Sequence, residues 1–409
     1  MTSNVPLPPE GGKSLKIMML APTMFFADYG CHVRILEEAV ILRQLGHQVT
    51  ILAYPNGRDV EGLDIQRSWG VPCNYRVIVG SSRHKLYLDV LLALKSLVYA
   101  LRRRPDIIHA HLHEGGLVGW FLSKITGAPL VLDFQGSLTA EMLDHHFLSG
   151  KKSWAYRPLR WLETRIDRGA SMVVTSSLHA ARLLQQEFGV PSSRIFPLPD
   201  CVNAATFSPQ TNSISEKAAL KRDLGIPPDR QLLVYLGLLT EYQGIDLLLE
   251  SLQALKAGRA DFHLLLMGFP DAGYRQQAID MGLEDVVTFT GKVPYEEAAC
   301  YLALGDVAVA PKLSATEGSG KILNYMSLAL PTVAFDTPVS REYLNEHGIY
   351  ATARTAPALS EALQQVLDMP TADRRVLGDE LRQHVQSNYS WEHTGQRLVG
   401  VYEGLLAGA

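Results

Sequence analysis

Residues 307–336 read VAVAPKLSATEGSGKILNYMSLALPTVAFD: an apolar run, a glycine-rich turn, a helical stretch and a second apolar run. VAVAP (307–311) and PTVAFD (331–336) have the length and composition of buried strands, and Glu317-Gly318-Ser319-Gly320-Lys321 opens the helix between them. That order predicts two parallel strands joined by a crossover helix. In open parallel sheets ligands sit at the carboxyl ends of the strands, where helix N-termini offer unpaired N–H groups and a partial positive charge. The glycines let backbone approach a ligand closely, and Lys321 adds a charge. The turn does not spell a nucleoside-triphosphate loop, which needs Gly where Ala315 stands and Ser or Thr where Ile322 stands. Residues 11–14, GGKS, fail too, with Leu7 at the glycine position and no strand before them.

Working outward, the same alternation fills the chain. The first half contains KIMMLAP (16–22), HQVTILAY (47–54), DIIHAH (106–111), PLVLDFQG (129–136) and SMVVTSS (171–177). The second half restarts with QLLVYLGLL (231–239), FHLLLMG (262–268) and VVTFTG (286–291) ahead of the opening stretch. Two doubly wound α/β units fit this better than one very wide sheet. Patterning stops in PLPDCVNAATFSPQTNSIS (197–215), which places the join there. The expected division is 1–200, 201–388 and a closing amphipathic helix over 389–409, with Ser390 as its N-cap. A second turn, Phe26 to His32, follows the first strand and precedes VRILEEAVILRQLGH. It lacks the G-x-G-x-x-G dinucleotide pattern, but Gly30 at that helix start leaves room for a ligand.

Composition narrows the function classes. With 409 residues, 47% of them hydrophobic, the chain can bury more than one core, and a net charge of -4 gives no whole-chain pull toward nucleic acid. Cys31, Cys73, Cys201 and Cys300 form no C-x-x-C pair, so neither a zinc site nor a disulfide framework is expected, and the reading is a reducing compartment. The polar first fourteen residues and the lack of a run of about eighteen uncharged apolar residues predict no signal peptide and no spanning helix. A cytoplasmic protein is the expectation.

At this point the chain resembles the GT-B glycosyltransferases, most closely their large retaining group, family 4. LSATEGSGKILNYMSLALPTVAFD is similar to that family's E-G-x-G-x-x-L-x-E-x-M-x-x-G-x-P-V-V-A signature, and RQLGHQVTILAY, PDIIHAH, GIDLLLESL, VTFTGKVPYEEAACYLALGDVAVAP and SWEHTGQRL support it. The resemblance implies two Rossmann-like doubly wound domains facing across a cleft. It also implies transfer of a sugar from a nucleotide-diphosphate donor to a saccharide, lipid or small-molecule acceptor. Glu317 would touch donor-sugar hydroxyls, and Gly318, Ser319 and Gly320 would offer backbone N–H groups. Lys321 would sit beside the diphosphate, and Val293 and Gly268 near the base. Gly30 would close on the phosphates. No resident cofactor is implied. No D-x-D pair occurs, so a metal held by adjacent carboxylates is not indicated, and helix termini and basic side chains must stabilise the leaving diphosphate.

The pattern breaks at three places. Where the family has a phosphate-binding Arg and Lys after the first strand of the second domain, this chain has Leu238 and Gln243, leaving Lys321 and Lys312 as cations. The second acidic residue of the signature is Asn324, or Tyr325 in the other register. The strand-end His of the first domain is Gln135, which can orient a hydroxyl but carries no proton near neutral pH. These losses keep a noncatalytic nucleotide-sugar-binding subunit and a nucleotide-sugar epimerase as alternatives.

Other signals read as structure. His109, His111 and His113 alternate as buried strand-end residues do, in preference to metal ligands. His145 and His146 read as surface residues, with acceptor contact as the alternative. Residues 81–104, with Arg83, Lys85, Lys95 and Arg102 to Arg104, read as an amphipathic helix packed on the sheet, and peripheral membrane contact stays open.

Overall fold

The structure, a computed structural model, describes residues 13–28, 30–70, 85–314 and 316–408. Leu7, Cys73, Arg83 and Ala315 lie outside the described residues. Two compact units divide the chain: Met1–Pro199 with Thr316–Gly318 and Trp391–Ala409, and Asp200–Ala315 with Ser319–Ser390.

Seven parallel strands build the sheet of the first unit. They are β1 (Lys16–Ala21), β2 (Gln48–Ala53), β3 (Asp64–Arg67), β4 (Ile107–His111), β5 (Leu130–Phe134), β6 (Met172–Thr175) and β7 (Ile195–Pro197), in spatial order β3-β2-β1-β4-β5-β6-β7. β4 and β5 are buried at every position, which is why they read as unbroken apolar runs. The connecting helices are α1 (Gly30–Gln44), α2 (Lys85–Arg103), α3 (Leu112–Thr126), α4 (Leu138–Asp144), α5 (Tyr156–Gly169) and α6 (Leu178–Glu187). Right-handed crossovers put α1, which leads back from β1 to β2, on one face of the sheet, and α2, α3 and α5, which lead the other way, on the opposite face. α2 packs on α3, and α3 on α5.

The second unit opens with α7 (Ile214–Asp223), closed at its start by a capping box of Ser213 and Glu216. Its six parallel strands are β8 (Gln231–Leu238), β9 (Phe262–Phe269), β10 (Val287–Gly291), β11 (Val307–Ala310), β12 (Thr332–Phe335) and β13 (Ile349–Ala351), ordered β10-β9-β8-β11-β12-β13. Between and after them run α8 (Ile245–Lys256), α9 (Ala272–Asp280), α10 (Tyr295–Leu302), α11 (Gly320–Ser327), α12 (Pro338–Leu344), α13 (Ala356–Asp368) and α14 (Thr371–Asn388). α15 (Trp391–Ala407) then returns to the first unit and packs on α1, burying Trp391, Leu398 and Tyr402.

The ten expected strands are all present, and three short edge or near-edge strands, β3, β7 and β13, add to them. In both sheets the strand order reverses beside the first strand, at β1/β4 and at β8/β11. These are the switch points at which such sheets bind ligands.

Candidate active site

At the β8/β11 switch point the turn after β8 meets the start of α11, and one cation stands between them. The Lys321 ammonium donates to Gln243 Oε1 at 2.8 Å and to the Tyr235 hydroxyl at 2.9 Å, and lies 4.3 Å from the centre of the Tyr235 ring. Tyr235 in turn donates to the Leu238 carbonyl, 2.8 Å away. Gly237 makes this cradle: at φ +153°, a Cβ there would lie 2.6 Å from Lys321 Nζ. The basic charge that Leu238 and Gln243 lack therefore comes to the same turn from α11, with Gln243 holding it.

The helix start itself is open. Ser319 is the N-cap of α11 but makes no side-chain cap, and its buried hydroxyl has no hydrogen-bond partner among the described residues. The Ser319 side chain therefore caps none of the first N–H groups of α11. Asp200 lies close by: a Cβ on Gly320 would be 3.6 Å from its Oδ2, and Tyr343 donates to that oxygen at 3.3 Å. A carboxylate at a helix N-terminus is electrostatically favoured. Sequence reasoning saw Asp200 only as part of the join.

Of the remaining residues expected here, Asn324 is half-buried on α11, one turn beyond Lys321. Tyr325 is fully buried, and its hydroxyl accepts from the Leu236 N–H at 3.0 Å, which makes it a core residue tying α11 to β8. Burial pushes its phenol well up from the usual tyrosine value. Val293 is buried after β10, where only its main chain could serve a ligand. At Gly268, paired with Gly237, β9 has no room for a side chain, since a Cβ there would run into the Gly237 carbonyl. Gly318 and the half-buried Glu317 fall in the short segment that groups with the first unit.

The first unit has its own polar centre below the ends of β4 and β5. Arg34 from α1 bonds both oxygens of Asp133 through Nε at 3.0 and 3.1 Å, and pairs with Glu38 at 3.2 Å. His111 Nδ1 lies 2.9 Å from Asp133 Oδ2 and stacks on His109, which contacts the Tyr402 hydroxyl at 2.6 Å. Burial alone would raise the Asp133 carboxyl, but the Arg34 guanidinium and His111 hold it well below the usual carboxylate range. Burial keeps His109 neutral. Gln135 donates from Nε2 to the same Asp133 oxygen at 2.7 Å, so the expected acceptor-side residue is anchored from beneath by a fixed negative charge. Arg34 and Asp133 were invisible as partners because 99 residues separate them.

Gly30 stands exposed at the start of α1, with open space where a Cβ would be. The histidines expected to be structural are buried, but not inert. His109, His111 and Glu38 form one group compact enough for an ion, and His113, Glu163 and Asp167 form another. In each the protein itself supplies the cation: Arg34 in the first, and in the second His113, raised to about 9 because Asp167 at 3.3 Å outweighs burial. His146 is exposed, at φ +58°, and His145 is half-buried. Glu141 on α4 was not singled out from the sequence, yet burial pushes its carboxyl up to about 8.

Two doubly wound units, each with a helix start beside its switch point, make the GT-B fold. Residues 29–201 match the family model described as a glycosyl transferase 4-like domain, and residues 230–369 that of the glycosyl transferases group 1. The chain belongs to this family and is a family-4-like glycosyltransferase. It is 26% identical to a D-inositol 3-phosphate glycosyltransferase of Pseudarthrobacter chlorophenolicus over 76% of this chain and 73% of that protein. Its fold is similar to that of sucrose-phosphate synthase from Thermosynechococcus elongatus, at TM-score 0.79 and 20% identity over 96% and 99% of the two chains. It is similar, too, to Anabaena HepE solved in complex with UDP-glucose, at TM-score 0.77 and 16% identity over 95% and 100%.

Proposed function

We propose that this transferase takes its sugar from a nucleoside-diphosphate donor, retains the anomeric configuration, and needs neither a resident metal nor a cofactor. The observation that carries the reading is Lys321, held by Gln243 and Tyr235 over the uncapped turn at the β8/β11 switch point. A cation and the N–H end of a helix at one place suit the charge that builds on a departing diphosphate. The bond from the anomeric carbon to the phosphate oxygen breaks, the bond to the acceptor oxygen forms on the same face, and the acceptor proton passes to the leaving phosphate. No carboxylate nucleophile is required, in contrast to the paired acids of retaining glycosidases.

In this scheme Glu317 holds sugar hydroxyls, Gly318 to Gly320 offer N–H groups, Asn324 meets the ribose and Gln135 orients the acceptor. The UDP-glucose bound by HepE makes uridine the first base to try. The acceptor is a saccharide, a lipid or a small hydroxylated molecule.

Calorimetric titration of UDP, GDP, ADP, TDP and their sugar conjugates into the wild type and Lys321→Ala tests the proposal. One diphosphate binding to the wild type, weakened in the variant, supports it, and NMR of the product then reads the anomer. Donor binding with no acceptor-dependent nucleotide release across an acceptor panel would replace it with a noncatalytic donor-binding role.

A further inference from the structure

The outer face of the α2–α3–α5 layer carries charge of one sign. The three helices contain four acidic residues, Asp89, Glu114, Glu163 and Asp167, and none is exposed. Each is turned toward a partner: Asp89 accepts from Tyr54, Glu114 pairs with Lys85 at 3.2 Å, Glu163 accepts from Thr139 at 2.6 Å, and Asp167 faces His113 at 3.3 Å. What remains outside is cationic. Lys151, Lys152, Arg157, Arg165 and Arg168 are all exposed, and none makes an ion pair among the described residues.

Large apolar side chains are exposed on these helices and just before α5. Trp154 is 89% exposed and Trp161 is 64% exposed, and Arg157, Trp161, Arg165 and Arg168 fall on one side of α5 at helical spacing. Along α2, Leu86, Val90, Leu94 and Leu101 stand exposed in a single stripe, and Phe121 and Ile125 stand exposed on α3, on which α2 packs. A packed crossover helix explains the buried side of α2, where Leu88, Leu92 and Ala100 meet the core, but not this outer stripe. Several large apolar side chains exposed together among cations are the kind of surface that marks an interaction site.

We propose that the outer face of the α2–α3–α5 layer docks on an anionic lipid bilayer, with Trp154 and Trp161 seated at the interface and the surrounding Lys and Arg side chains against the headgroups. Indole rings, apolar at one end and hydrogen-bonding at the other, favour that boundary, and clustered cations favour acidic lipid. The aliphatic stripe argues for lipid over nucleic acid, whose recognition would use the cations and aromatics alone. A second copy of the same face would bring like charges together. No helix among the described residues is long and apolar enough to cross a membrane, so the contact is peripheral.

The test is co-sedimentation of the full chain with phosphatidylcholine vesicles, with and without about 30% phosphatidylglycerol, which supplies the negative surface the cations would meet. Binding is expected only to the acidic vesicles, weakening as salt screens the contact, with a blue shift of tryptophan emission. Arg157→Glu with Arg165→Glu should lower partitioning at least about 25-fold, since each cation near such a surface is worth about fivefold. Trp154→Ala with Trp161→Ala should cost about tenfold or more. Arg222→Glu with Arg375→Glu, exposed cations of the other unit, makes the same charge change and should leave binding intact. All six positions are exposed, so melting temperatures and donor affinity should hold, which keeps this outcome separate from the transferase assay. Equal binding to neutral vesicles, equal loss in the control pair, or wild-type binding by the α5 variants would overturn the proposal. So would capture of an RNA oligonucleotide, or self-association, in place of vesicle binding.

Discussion

Lys321 shows how one side chain can move a function between elements. Its ammonium donates to two neutral acceptors, Gln243 and Tyr235, which hold it at the turn after β8. Charge-assisted bonds to phosphate are worth about 1.5–3 kcal/mol, so Lys321→Ala should weaken diphosphate affinity about 10- to 100-fold in calorimetry. Gln243→Leu removes one anchor but keeps the charge, and a smaller loss, within about tenfold, is expected. Asp133 makes the opposite kind of prediction. Asp133→Asn leaves buried Arg34 with Glu38 as its remaining counter-charge, and breaking such a pair costs about 3 kcal/mol or more, read as a melting point lowered by several degrees. At this scale the sequence exposed the glycine turn and the missing Arg and Lys, because those are local. It left Asn324 and Tyr325 undecided, since both fit the signature in one register or the other; α11 buries Tyr325 and leaves Asn324 half-buried. Asp133, Asp200 and Glu141 gain their character from neighbours far along the chain, which no spacing rule reveals.

Among elements, α3 and α5 are joined through a titratable contact. His113 at the start of α3 is raised to about 9 by Asp167 on α5, against an ordinary value near 6.5. The stabilisation from the ion pair is fully present below pH 6.5 and is lost as pH rises through 9. Thermal unfolding followed from pH 6 to 9.5 should show a falling midpoint in the wild type and a flatter profile in His113→Asn. A variant profile as steep as the wild type would place the slope elsewhere. Element legibility followed burial. Fully buried strands such as β4 and β5 announce themselves as apolar runs, whereas β3, DIQR, is a polar edge strand whose partner is chosen by the β2 backbone rather than by its own side chains. β7 and β13, three residues each, are too short to show a period.

For the whole molecule the notable fact is the route of the chain, which leaves the first unit at Pro199, touches it again only in the short segment Thr316–Gly318, and re-enters it for good at Trp391. α15 rests on α1, where Gly395 leaves room for Ile41, and its Tyr402 reaches His109. Residues 1–199 made alone should therefore melt lower than the same residues carrying 391–409 on a flexible tether, with circular dichroism as the readout. Equal melting points would mean that α15 contributes nothing to that unit's core. The routes out and back are sewn together on the other side: the Val202 N–H donates to the Tyr389 carbonyl at 3.0 Å, and Val202 pairs with Ser390 in a parallel bridge. Residues 200–390 are thus an insertion whose entry and exit share one doorway. A recombination event, or an engineer, can lift that block out and seat a relative's block in its place with two seams at a single spot. The gene can trade half of its chemistry while the other half keeps its surface, its core and both of its ends.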